Sequence, residues 1–204
     1  MIDYLILIPL GYLLGALPFG LIAGKVFGRV DVRDYGSGKI GMTNVMRTVG
    51  VPVAIFVLLL DMGKGVVAIL LARIISDSAG VESAAALAAL FGHNWPVFIG
   101  FRGGRGTATG WGSLLMLWPI AGLMATVVGL TLVGISRYVS LGSVVATVVG
   151  FVVLIVAAAI GAASMGYIWY GIIGGTLVIV RHKDNIQRLL KGEERKLGQS
   201  AKVI

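Results

Sequence analysis

The stretch YLILIPLGYLLGALPFGLIAG, residues 4–24, decides the fold class. It carries no charge, and about twenty apolar residues in a helix cross the hydrocarbon core of a bilayer. Asp3 stands before it, while Lys25, Arg29 and Arg33 follow. A secretory signal has the opposite polarity. The stretch is therefore read as a retained first crossing, with its N-terminus outside and its basic flank inside.

The rest of the chain agrees. Its 204 residues are 57% hydrophobic and 13% charged, with mean hydropathy +0.96. An ordinary soluble domain is about a quarter charged. The expectation is an all-α integral membrane protein forming a single multi-pass domain over residues 1–204. Glycine, at 31 residues, is abundant, and small residues let membrane helices approach closely. Cysteine is absent, which excludes disulfides, thiolate metal sites and a thioester on the protein. Net charge +8 and pI 10.1 raise the possibility of nucleic acid. No binding motif supports that, and basic residues collect in the inner loops of membrane proteins anyway.

Further apolar runs extend from about Val51 to Ile75, interrupted by DMGKG, and from about Ser83 to Phe101. The run from Thr107 to Ile135 is too long for one crossing. WPI at 118–120 is a turn candidate, since a residue before proline resists helix. A sixth segment ends near Ile160 and a seventh spans about Ser164 to Val180. Seven crossings starting outside place the loop at 25–50, the Arg102/Arg105 loop, Arg137 and the polar tail all on the cytoplasmic face. A count of five or six splits them, so basic-loop asymmetry favours seven.

Three basic stretches share that face. In GSGKIGMTN, residues 36–44, Gly36 and Gly38 let consecutive backbone N–H groups turn inward as an anion nest. Ser37, Lys39, Thr43 and Asn44 add polar groups, and Arg47 can grip two phosphate oxygens. An ordinary flexible loop explains the composition equally well. The G-x-G-x-x-G spelling lacks the preceding strand that a dinucleotide site needs. In GHNWPVFIGFRGGRG, residues 92–106, Arg102 and Arg105 bracket Gly103 and Gly104, with Gly106 beyond. Inner-loop charge accounts for the arginines but not for the glycines. His93 in the same stretch reads as a helix-packing hydrogen bonder before it reads as catalytic. In RHKDNIQRLLKGEERK, residues 181–196, His182 and Asn185 share a helix face, with Arg181 and Arg188 beside them. Residues Lys191 to Lys202 read as a solvated tail. Asp61 and Lys64 are expected to pair within the membrane near the site's floor, with Lys64 a supporting contact. Ser140 and Ser143 either cap the sixth helix or bind substrate.

Several of these motifs in one order resemble the bacterial membrane-integral glycerol-3-phosphate acyltransferases that use acyl phosphate, the PlsY family. The likeness runs over essentially the whole chain, through GSGKIGMTNVMRTVG, DMGKG, GHNWPVFIGFRGGRGTATGWG, RYVSLGS and RHKDNIQRLLKGEERK. It implies a seven-helix bundle in the bacterial inner membrane with a cytoplasmic site. It implies acyl transfer from acyl phosphate to the 1-hydroxyl of glycerol 3-phosphate, the first acylation of phospholipid synthesis. The products are 1-acyl-glycerol 3-phosphate and phosphate. Coenzyme A and acyl carrier protein are not direct donors, and no cofactor is called for. The family usually has Asn at Lys39, Ala at Met42, lysines at Arg102 and Arg105, and valine at Thr107. These departures bear on how each phosphate is held, since arginine is a fork and lysine a point charge.

Under this reading the glycerol hydroxyl attacks directly. Its proton passes to His182 or to the donor's phosphate, and the resemblance leans to the phosphate, with His182 and Asn185 positioning the substrate. Ser37 steadies the oxyanion or leaving group. A metal is not expected, because two distant histidines without cysteine make a poor ligand set. Two rivals belong to other classes. A transporter or binding protein for a phosphorylated solute also needs basic groups at the membrane, although no internal repeat of the transporter kind is visible. A non-catalytic subunit that recruits partners leaves the glycine motifs unexplained.

Overall fold

The computed structural model describes residues 1–199 and Val203. Its helices are α1 (Ile2–Ala16), α2 (Phe19–Ala23), α3 (Met42–Thr48), α4 (Val51–Ile75), α5 (Ala79–Asn94), α6 (Thr107–Leu117), α7 (Pro119–Ser136), α8 (Val139–Ala159), α9 (Gly175–Arg181) and α10 (Lys183–Leu190). Among the described residues, four runs are long and apolar enough to cross a membrane: Ile2–Gly28, Val51–Ile75, Pro119–Ser136 and Val139–Ala159. The shorter Met165–Arg181 stretch is also apolar. At 11 residues, α6 is about 16 Å long and reaches halfway through a hydrocarbon core of roughly 30 Å.

Large apolar side chains point outward, as lipid contact requires. Leu5, Leu59 and Ile135 are 73%, 60% and 79% exposed. The interior is built from smaller residues and a few large ones. Leu7, Ala68, Ala72, Val81 and Ala85 form one buried cluster, and Ile69, Leu114, Phe151, Leu154 and Tyr170 another. Helices α1 and α5 pack at backbone range: a Cβ on Gly11 would stand 2.7 Å from the Ala85 carbonyl oxygen.

Several expectations are corrected. The first crossing is not one straight helix. It breaks at Leu17–Pro18, resumes as α2, and ends in a π turn over Gly24–Gly28. Pro9, by contrast, lies inside α1. The third apolar run does not stay helical to Phe101. It stops at Asn94, because Trp95 precedes Pro96 and leaves the helical conformation. The second run is one helix over its expected bounds, Val51–Ile75, with the polar DMGKG inside it. The turn at Trp118–Pro119 stands where it was expected, with Trp118 extended at φ −148°. Neither Ser140 nor Ser143 caps α8, whose N-cap is Tyr138.

The tail is also different from the expectation. Instead of leaving into solvent, the segment after α10 folds back across the bundle. The Leu197 N–H donates to the Arg137 carbonyl, and the Arg137 guanidinium donates to the Leu197 carbonyl at 3.0 Å. Glu194 is 8% exposed. Lys202 lies outside the described residues.

Candidate active site

All three basic stretches reach one cavity of about 300 Å³ at one end of the bundle. From the first stretch come Ser37, Lys39, Thr43 and Arg47. Asn44, buried at 2% exposure, explains their placement. Its Nδ2 donates to the carbonyls of Val32 (2.6 Å), Tyr35 (3.1 Å) and Lys39 (2.9 Å), and its Oδ1 accepts from the Ser37 N–H at 3.1 Å. One amide thus ties the loop into shape. Gly36 and Gly38 allow the turn, with φ of 64° and 65°.

This corrects the anion-nest reading. The Ser37 N–H is held by Asn44 and the Gly38 N–H by the Tyr35 carbonyl, so neither amide offers itself to an anion. Gly36 and Gly38 do not line the cavity. Asn44 does touch it, but its hydrogen-bonding capacity is spent on the loop.

The second stretch contributes His93, Arg105 and Gly106. Its glycines serve close packing. The Gly104 N–H donates to the His93 carbonyl at 3.1 Å, and a Cβ on Gly104 would collide with the His93 ring. Gly103 packs in the same way on the His93 and Asn94 carbonyls. Arg181 clamps this loop from outside. It donates to the Gly104 carbonyl at 3.0 Å and stands over the Trp95 ring at 5.1 Å. Gly103, Gly104 and Arg181 are therefore supports and do not line the cavity. Arg102 is exposed and off the cavity as well.

What the loop presents to the cavity is a helix start. Gly106, at φ 84°, is the N-cap of α6, and Thr107 and Ala108 line the cavity beside it. The first N–H groups of a helix lack intrahelical partners and attract anions. Arg105 stands immediately before them.

Beneath the loop, Asp61, Lys64 and His93 form a buried cluster. Lys64 Nζ lies 2.8 Å from Asp61 Oδ1 and 3.4 Å from His93 Nδ1. The expected Asp61–Lys64 pair is present, and His93 joins it. Lys64 itself is turned away from the cavity, its ammonium 5.0 Å from the Phe19 ring.

The third stretch supplies His182, Asn185 and Arg188, and α8 adds Ser140 and Ser143. His182 sits at the α9–α10 junction, 3% exposed. Its Nδ1 is 2.8 Å from the Val178 carbonyl oxygen. A carbonyl only accepts, so Nδ1 carries the proton and Nε2 keeps a lone pair. Thr107 Oγ1 lies 3.4 Å from that Nε2.

Sequence reasoning missed Glu194. Its carboxylate accepts from Ser140 Oγ (2.9 Å), Asn185 Nδ2 (2.8 Å) and Arg188 Nε (2.7 Å). The available signal was an acidic pair, Glu193–Glu194, inside a basic tail. Nothing local tells which of the two points inward.

The electrostatics favour an anion. Burial lowers the pKa of Lys39, and the nearby Arg181 and Arg105 charges lower it further. Burial likewise lowers Arg47. It brings Arg105 down to about 10, with repulsion from Arg188 adding to the effect. Cations destabilised in this way are stabilised by a bound negative charge. Burial also depresses His182 to about 4, so its imidazole is neutral near pH 7. Away from the cations the cavity is apolar, running between α6, α7 and α8 to Leu114, Ala125 and Phe151.

Comparisons with known proteins point to one family. The family model described as glycerol-3-phosphate acyltransferase matches residues 5–192. A glycerol-3-phosphate acyltransferase of Parasynechococcus marenigrum is 43% identical over 97% of this chain and 91% of its own. One from Rubrobacter xylanophilus is 44% identical over 95% of this chain and 94% of its own. The crystal structure of PlsY (YgiH), an integral membrane glycerol 3-phosphate acyltransferase, superposes in its glycerol 3-phosphate form with a TM-score of 0.88. The two are 39% identical and coverage is 96% of both chains. The lysophosphatidic acid form gives a TM-score of 0.84 at 37% identity, covering 96% of this chain and 95% of the other.

Proposed function

Since the chain belongs to the glycerol-3-phosphate acyltransferase family, we propose that it moves an acyl chain from acyl phosphate to the 1-hydroxyl of glycerol 3-phosphate. The products are 1-acyl-glycerol 3-phosphate and inorganic phosphate. The reaction takes place at the cytoplasmic leaflet of the bacterial inner membrane, where the basic end of the bundle belongs by its charge. The observation that carries this reading is the cavity itself: four cations, Lys39, Arg47, Arg105 and Arg188, ring one end, and the other end is apolar. An amphiphilic acyl phosphate needs both.

The glycerol hydroxyl oxygen attacks the acyl carbonyl carbon. A carbon–oxygen ester bond forms as the carbon–oxygen bond to phosphate breaks, and phosphate leaves with the electron pair. His182 accepts a hydrogen bond from the hydroxyl at Nε2 and aims it. With a pKa of about 4 the imidazole is a weak base. A phosphate group, whose second pKa is about 6, is the better proton acceptor, so the proton leaves with the donor's phosphate. Ser37 Oγ and the first N–H groups of α6 face the charge that develops on the carbonyl and leaving oxygens. Lys39, Arg47, Arg105 and Arg188 neutralise the two phosphates.

The test is reconstitution. Purified protein in detergent, given glycerol 3-phosphate and palmitoyl phosphate, is expected to form lysophosphatidic acid and release phosphate, with a chelator present and without coenzyme A. Product from acyl-coenzyme A or acyl carrier protein but none from acyl phosphate overturns the donor assignment. Loss of activity in chelator, restored by one divalent ion, overturns the metal-free chemistry.

A further inference from the structure

The apolar end of the cavity is closed, and closure has a consequence for chain length. Three helices form its walls. Trp111 and Leu114 descend from the mouth on one face of α6, Thr147 and Phe151 descend on α8, and α7 returns past Ala125. The walls meet at Gly150, where a Cβ would stand 2.9 Å from both Leu114 Cδ1 and Ala125 Cβ. Beyond that meeting point Leu117, Ala121 and Leu154 are packed at 3%, 0% and 0% exposure. The Phe151 ring is itself backed by Tyr170, with ring centroids 5.4 Å apart.

We propose that Leu114, Ala125 and Phe151 form the gauge that sets acyl-chain length in this enzyme. The proposal rests on the acyl-transfer reading above and deepens it. The stretch of α8 from Ser140 to Phe151 is about 16 Å long at ~1.5 Å per residue. An extended chain advances roughly 1.2 Å per bond, a third of the span of a three-bond residue. A chain of about a dozen carbons therefore reaches the closed end, and each further methylene meets side chains. The competing route is sideways. Leu130 lines the cavity and is 63% exposed, so α7 offers an opening toward lipid nearer the mouth. The Trp111 Nε1 bond to Thr126 Oγ1, 2.8 Å, joins α6 to α7 below it and keeps the deeper part of the chain inside.

The experiment compares kcat/KM for octanoyl, dodecanoyl and palmitoyl phosphate in three variants, with thermal unfolding in detergent as the folding control. Ala125→Leu fills the closed end and is expected to lower the palmitoyl-to-octanoyl ratio at least about ten-fold, since each methylene kept from burial costs a factor of about four. Leu114→Ala opens the end and raises the same ratio. Leu130→Trp, at a lipid-facing position where folding is least at risk, blocks the sideways route and leaves the ratio unchanged. An unchanged ratio in both floor variants, or a collapse of the ratio in Leu130→Trp, overturns the gauge and sends the chain out past α7. Absence of turnover with every acyl phosphate in the unmodified protein overturns the donor assignment, and the gauge falls with it.

Discussion

The two ends of the bundle hold polar clusters of opposite character. At the end away from the cavity, Arg73 Nε bonds Glu82 Oε2 at 2.9 Å and its NH2 donates to the Met116 carbonyl at 2.9 Å. Tyr167 donates to the same carboxylate at 3.1 Å, and Ser83 to the Gly166 carbonyl at 2.8 Å. Each charge there has its opposite, and the groups fill the space between α4, α5 and the start of the last apolar stretch. At the cavity end cations outnumber acids, and Arg105 Nε, Arg47 Nε and Asn185 Oδ1 have no partner among the described residues. Both clusters look alike as residue types. Pairing separates them: a satisfied cluster holds helices together, while an unsatisfied one around a cavity holds something else.

The sharpest way to break that contrast is to remove one group at the cavity end. Ser37→Ala is expected to lower kcat by about a hundred-fold or more without changing the unfolding temperature. A near-normal rate removes Ser37 from the chemistry. Arg105→Ala is expected to weaken glycerol 3-phosphate or donor binding by about ten- to a hundred-fold, the range for a lost hydrogen bond to a charged group, read as KM at fixed enzyme. Glu82→Ala inverts the pattern. It is expected to cost about 1–3 kcal/mol of stability by stranding Arg73 and Tyr167, with the rate per folded molecule unchanged. A selective loss of rate there erases the distinction between the ends. Arg102→Ala, exposed and off the cavity, is expected to stay within about 0.5 kcal/mol of the original in stability and to keep its kinetics.

A pH titration sharpens the comparison further. The folded pKa of His182, about 4, lies below its ordinary 6.5. Between those values the unfolded chain binds the extra proton, so stability rises with pH across the window and is lost as pH falls from about 6.5 to about 4. An NMR titration is expected to show the His182 imidazole, assigned by its absence in His182→Ala, neutral from pH 8 down to about 5. Titration near 6.5 makes His182 the better base and reassigns the proton.

Part of the fold was legible because it depends on local chemistry. Val51–Ile75 is mostly apolar and long enough to cross, and Trp118–Pro119 turns because proline disfavours helix before it. Pro9 and Pro18 show the limit. Both are prolines in one apolar stretch, yet only the second ends a helix. The site divides in the same way. Ser37, Arg105 and His182, distant in sequence, do reach one cavity. The anion-nest alternative at Gly36 and Gly38 failed because the Ser37 and Gly38 N–H groups are taken by the Asn44 side chain and the Tyr35 carbonyl, partners that glycine spacing does not reveal. Glu194 was illegible for a related reason. Charge alone marks a residue as solvated unless its partners are known, and they lie on α8 and α10.

Composition and the spacing of apolar runs determined by themselves that this chain lives in a membrane and carries a basic, polar end, since lipid solvation acts on every residue independently of its neighbours. Which cations stay unpaired, which amides are spent on the loop, and where the apolar cavity stops were decided only by tertiary structure. Those properties belong to contacts between segments far apart in the chain, and a contact exists only once the helices have packed.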